Sequence, residues 1–150
     1  WQQEGCAAYK QMVSRLRTAG EMAKQEGIII GIRTGMDAKF DKKLLKKVGS
    51  SQIKVYYNFQ DAADHHRDIC KELRKLGAQR IVQIHASNTD SVNLQEDPEI
   101  NLPKIRKTLD KMKWSGWLVV ERSRDVKRVR DVKYNFGRNI AYLKQVFQER

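Results

Sequence analysis

Four short β-prone segments recur about every thirty residues, the length of one βαβ unit, and this rhythm limits the fold more than any other feature of the chain. They cover residues 28–34 (IIIGIRT), 54–59 (KVYYNF), 80–87 (RIVQIHAS) and 116–123 (GWLVVERS), each rich in β-branched or aromatic residues and bounded by Gly, Ser or Asn. Helical patterns lie between them. Tyr9, Val13 and Leu16 mark a first helix within residues 1–26, and Phe40, Leu44 and Val48 a second. His66, Ile69, Leu73 and Leu76 fall on one face of a third. Leu102, Ile105, Leu109 and Met112 give a fourth, with Asn101 as N-cap and Pro103 in its first turn. Phe136, Ile140, Leu143 and Phe147 give the last. The order is one helix followed by four βα units, so the fold class is α/β with a parallel sheet and right-handed crossovers. A closed (β/α)₈ barrel needs roughly 200 residues or more. The 150 residues here form one domain and supply about half of such a barrel.

Side chains alternate between the two faces of a strand. Ile28, Ile30, Ile32, Val55, Tyr57, Phe59, Val82, Ile84, Ala86, Leu118 and Val120 make one apolar face, expected under the helices. The other face carries Ile29, Tyr56, Ile81, Trp117 and Val119, and it turns polar late in each strand, at Arg33, Asn58, His85 and Glu121. Ligand sites of barrels and open α/β sheets gather at that C-terminal rim. Shared parity and shared position make these four residues the candidate site.

Thirty lysines and arginines against 18 acidic residues give a formal charge of +12. Lys42, Lys43, Lys46 and Lys47 read as the solvated face of an amphipathic helix. Arg122, Arg124, Lys127, Arg128, Arg130 and Lys133 crowd a loop-like stretch that could hold a phosphate. No apolar run approaches the ~20 residues of a membrane helix. Cys6 and Cys70 stand apart, without the spacing of a disulfide framework or zinc site. His65 and His66 are adjacent, so on a helix they point apart and chelate poorly. No nucleophile elbow, P-loop or GxGxxG occurs. The chain opens at Trp1 without a signal-peptide pattern, so the expectation is a cytoplasmic protein trimmed at its front.

The stretches QIHASNTD (83–90), INLPKIRKTLDKM (100–112), SGWLVVERSRD (115–125) and VKYNFGRNIAYLKQVF (132–147) resemble the C-terminal half of the sugar phosphate isomerase/epimerase family, within the xylose-isomerase-like barrel superfamily. The resemblance implies that these are the fifth to eighth strands of a barrel. It also implies a divalent metal (manganese, magnesium, cobalt or zinc) held by Glu, Asp, His and Glu, one from each strand, that polarises a sugar carbonyl and hydroxyl. His85 falls at the histidine position and Glu121 at the final glutamate, which makes both the catalytic and metal-ligand candidates. Arg33 stands where a glutamate is expected and Asn58 where an aspartate is expected. Arginine cannot deprotonate to become a ligand, and asparagine brings no charge. The expectation is therefore a lost or weakened metal site, with Arg33 as counter-ion to Glu121. Arg33, Asn58 and Arg122 remain as cofactor- or ligand-binding candidates.

Four strands leave two open edges and an apolar inner face. The expectation is a self-associating half-barrel module, truncated or engineered, closed by homodimerisation and catalytically impaired. A separate N-terminal half, or collapse into an open flavodoxin-like sheet, is the alternative to homodimerisation. An active sugar isomerase/epimerase acting on a sugar phosphate is the alternative. A nucleic-acid-binding relative of the apurinic endonucleases ranks last.

Overall fold

A computed structural model of the chain describes residues 5–88 and 91–149; the expectations that touch Trp1, Thr89 and Asp90 lie outside them. The elements are α1 (Ala7–Gln25), β1 (Ile30–Ile32), α2 (Ala38–Val48), β2 (Ile53–Asn58), α3 (Phe59–Ala63), α4 (Ile69–Leu76), β3 (Ile81–His85), α5 (Leu102–Lys111), β4 (Trp117–Val119) and α6 (Val132–Phe147). All strands pair in parallel, in the order β1-β2-β3-β4, so each crossover returns to the neighbouring position. This is the expected half of a barrel.

Local chemistry sets the ends of the helices. The Asp37 carboxylate accepts from the Phe40 N–H at 2.7 Å to open α2, and Gly49 closes it in the left-handed conformation at φ 74°. Asn101 caps α5 through the Lys104 N–H, with Pro103 in the first turn. Asp131 caps α6 through the Tyr134 N–H. Leu44, Leu73, Ile84, Leu102 and Ile105 are fully buried between the helices and one face of the sheet.

Several expectations are corrected. The edge strands are shorter than residues 28–34 and 116–123, because each has a ladder partner on one side alone among the described residues. Ile28 and Ile29 precede β1 and are about half exposed. His66 does not begin the third helix: it is exposed at φ 51° in the turn between α3 and α4. The buried stripe of α6 begins with Asn135 and Asn139, while Ile140 is exposed.

The face assignment in β3 also changes. Val55 pairs with Ile81 but Tyr56 pairs with Gln83, so Val82 is the extra residue of a β-bulge. The bulge turns Ile81 into the core at 4% exposure and sends Val82 to the inner face, the reverse of simple alternation. A Cβ on Gly31 would meet Val82 Cγ1 at 2.9 Å and Tyr56 Cβ at 3.3 Å, so glycine is what admits the bulge beside β1. Beyond the bulge, rows Tyr56–Gln83–Trp117 and Asn58–His85–Val119 cross the inner face in register.

Behind the rim lies a buried acid. Asp41 is 4% exposed and accepts from the Thr34 hydroxyl at 2.5 Å. Burial, with help from Glu72 and Asp37, pushes its carboxyl up from 3.8 to about 7, against the Thr34 hydrogen bond and Arg67. A carboxyl whose folded-state pKa is raised adds stability that is complete below about pH 4 and is lost as pH rises through about 7. Asp41→Asn therefore stabilises the fold at pH 8 by roughly 4 kcal/mol and has little effect at pH 4. Urea denaturation at the two pH values checks this; an equal effect at both would contradict it.

Candidate functional site at the strand tips

Asn58 ends β2 and caps α3. Its Oδ1 accepts from the Gln60 N–H at 2.7 Å and the Asp61 N–H at 3.4 Å. With that oxygen committed, the amide nitrogen faces His85 Nδ1 at 3.1 Å. Asn58 is 2% exposed, so its orientation is enforced on both sides.

Its cap places Asp61 in the first turn of α3, and there Arg33 takes it. Arg33 Nε donates to Asp61 Oδ2 at 2.8 Å and Nη2 to Oδ1 at 2.6 Å, a bidentate ion pair. The expected partner, Glu121, interacts with Arg33 only through space. The guanidinium is held above its ordinary pKa chiefly by the hydrogen bond to Asp61. Asp61 is thus a rim residue that the sequence reading missed; a carboxylate three residues past Asn58 was the available signal.

His85 Nδ1 also lies 3.1 Å from Glu121 Oε2. One ring nitrogen cannot accept from Asn58 and donate to Glu121 at the same time. Because Asn58 is locked by its cap, the neutral ring accepts at Nδ1 and carries its proton on Nε2. Protonation turns Nδ1–H toward Glu121 instead. Burial lowers the His85 pKa below the usual imidazole value and Arg33 lowers it further, while Glu121 and Asp61 oppose them. The Tyr56 ring lies 4.0 Å, centroid to centroid, from His85 at 62° and holds the imidazole from the floor of the mouth.

Glu121 is supported from behind. Ser123, fully buried at φ 88°, reverses the chain two residues later. Its Oγ accepts from the Asn88 N–H at 2.7 Å, and its carbonyl accepts from Asn139 Nδ2 at 2.7 Å and Asn93 Nδ2 at 3.2 Å. Asn135 Oδ1 accepts from Asn93 Nδ2 and the Asp125 N–H. Two asparagines one turn apart on α6 therefore clamp the loops that follow β3 and β4. Arg122 is exposed one residue beyond Glu121, and Arg128 stacks on Tyr134 at 4.4 Å.

Four strand tips do converge, then, as a pair and a trio: Arg33 with Asp61, and Asn58 with His85 and Glu121. The donor set does not fit a divalent cation. The guanidinium offers donors alone, the Asn58 oxygen is spent on α3, Asp61 is spent on Arg33 and His85 Nδ1 is engaged, which leaves the Glu121 carboxylate and the far nitrogen of His85, too few for a divalent site. Among the described residues, no three of His, Cys, Asp or Glu gather as metal ligands would. Nor is any described helix long and apolar enough to cross a membrane.

The profile of the xylose isomerase-like TIM barrel matches residues 1–146. Among solved structures, D-psicose 3-epimerase with D-tagatose from Clostridium cellulolyticum H10 superposes at a TM-score of 0.73 and 14% identity, over 92% of this chain and 56% of that one. A xylose isomerase domain protein from Planctomyces limnophilus gives 0.72 and 14%, over 96% and 57%. An AP endonuclease, family 2, from Brucella melitensis gives 0.67 and 15%, over 87% and 56%. The chain thus spans a little over half the length of these structures. No curated protein matches the sequence.

The opposed charges make a prediction for His85. Glu121→Gln moves its titration further down and Arg33→Gln moves it up, as read from long-range nitrogen–proton NMR spectra. An imidazole that ignores both substitutions would contradict the arrangement.

Proposed function

This chain belongs to the xylose isomerase-like TIM barrel family, and we propose that it acts there as a half-barrel assembly module that closes against four further strands, with metal-dependent sugar chemistry impaired at its rim. The observation that carries this reading is the uncovered inner face. Trp117 stands 77% exposed on it, level with Gln83 and Tyr56, and Ile28 and Ile29 are exposed beside β1. Beyond β4 a recess of about 600 Å³ is lined by Trp114, Val120, Ile140 and Phe147. At about 25 cal/mol per Å² such apolar surface is costly to leave wet. A second copy about a two-fold axis parallel to the strands would set the β4 edge of each chain against the β1 edge of the other and keep all strands parallel.

Impairment follows from the Arg33–Asp61 and Asn58–His85 contacts, which consume the groups a cation would need. The mouth keeps hydrogen-bonding groups suited to a sugar or sugar phosphate. The second reading, an active sugar isomerase or epimerase, is favoured by His85 and Glu121 standing 3.1 Å apart at the rim, an imidazole and a carboxylate side by side as acid and base for a substrate. A nucleic-acid role rests on a fold likeness at 15% identity, which carries no activity.

Sedimentation equilibrium of the chain at micromolar concentration tests the assembly. Twice the chain mass is expected, falling to the chain mass in Trp117→Glu. A wild-type monomer that unfolds cooperatively would overturn the closed dimer.

A further inference from the structure

At the end of the sheet opposite the rim, where β2 and β3 begin, a recess of about 420 Å³ opens beside α2. Lys42 and Lys46 of α2, Lys54 of β2 and Arg80 line it with Ser50 and Ser51, and among the described residues no carboxylate lines it. Lys42 and Lys46 are one helical turn apart, and like charges at that spacing repel. The residues three and four positions from them on α2 and its following turn (Ala38, Lys39, Lys43, Leu45, Gly49 and Ser50) include no acid to offset the repulsion. Arg80 is fixed in place: its Nη1 donates to the Leu76 carbonyl at 2.9 Å and lies against Gly77. A guanidinium held on one side, with three ammonium groups and the Ser50 hydroxyl lining the same recess, supplies the positive charge and the donors that a phosphate takes. An adjoining recess of about 390 Å³ shares Ser50 and Ser51 and adds Arg17, Lys24 and Lys47, with Glu21 as the one carboxylate among the described residues that line it.

We propose that this end of the fold binds a phosphorylated small molecule through its phosphate groups, with Lys42, Lys46 and Arg80 as the principal contacts. The site uses consecutive βα units and neither edge strand, so it stands whether or not the barrel closes as proposed above. It also gives part of the +12 charge a location distinct from the loop cluster around Arg122.

Calorimetric titration of the whole chain with inorganic pyrophosphate at constant ionic strength tests it. Saturable binding to one site is expected, with NMR amide shifts centred on Ser50, Ser51 and Gln79. Lys42→Gln with Lys46→Gln weakens binding about tenfold, as does Arg80→Lys, which keeps the charge and loses the fork. Lys107→Gln with Lys111→Gln, the same charge change at the same spacing on the exposed side of α5, leaves binding unaltered. Absence of saturable binding, equal loss in both double variants, or no loss in either overturns the proposal. Melting curves confirm that each variant is folded, and Arg80→Lys decides the matter if the lysine pair destabilises the chain.

Discussion

Asn58 does two things that cannot be separated, and the organisation of the rim depends on their combination. Its carbonyl oxygen opens α3, which carries Asp61 to Arg33, and its amide group reaches His85. A side chain that capped α3 without donating would free Nδ1 of His85 to seek Glu121 permanently. One that donated without capping would let Asp61 drift from the guanidinium. The neutral amide, placed where resemblance implies an aspartate, thus suits a mouth built from hydrogen bonds and one ion pair, and it suits a cation poorly.

The alternation of faces was legible in the sequence because parallel strands in register repeat the same parity, and Arg33, Asn58, His85 and Glu121 shared it. Asp61 left a weaker mark, a carboxylate three residues past Asn58, since it reaches the rim through a short helix whose existence depends on the Asn58 cap. The bulge at Val82 was hidden: isoleucine and valine are both apolar, so hydropathy cannot say which of Ile81 and Val82 enters the core. Along α6 the apolar pattern pointed to Phe136 and Ile140, whereas Asn135 and Asn139 are buried because they satisfy loop carbonyls and amides around Ser123. A buried polar network is invisible to any argument that counts apolar residues.

The two ends of the sheet carry different electrostatics. The rim pairs its charges closely, Arg33 against Asp61 and Glu121 beside His85, so its field is local. The opposite end gathers lysines with few carboxylates, and its field extends outward. Between them the inner face is apolar and uncovered at Trp117, where the proposed closure with further strands would act. The rim draws on residues at and just past the strand ends, the cationic end on α2 and the segments leading into β2 and β3, and closure on the inner face at Trp117.

The measurement that bears most directly on the rim is the visible absorption spectrum of cobalt(II) added to the wild-type chain and to Arg33→Glu with Asn58→Asp. The account predicts that the wild type leaves the spectrum of the aqueous ion unchanged, while the double variant, with two carboxylates restored, develops the bands of a bound ion that vanish in His85→Ala. Tight cobalt binding by the wild type, lost on removing His85, would contradict it.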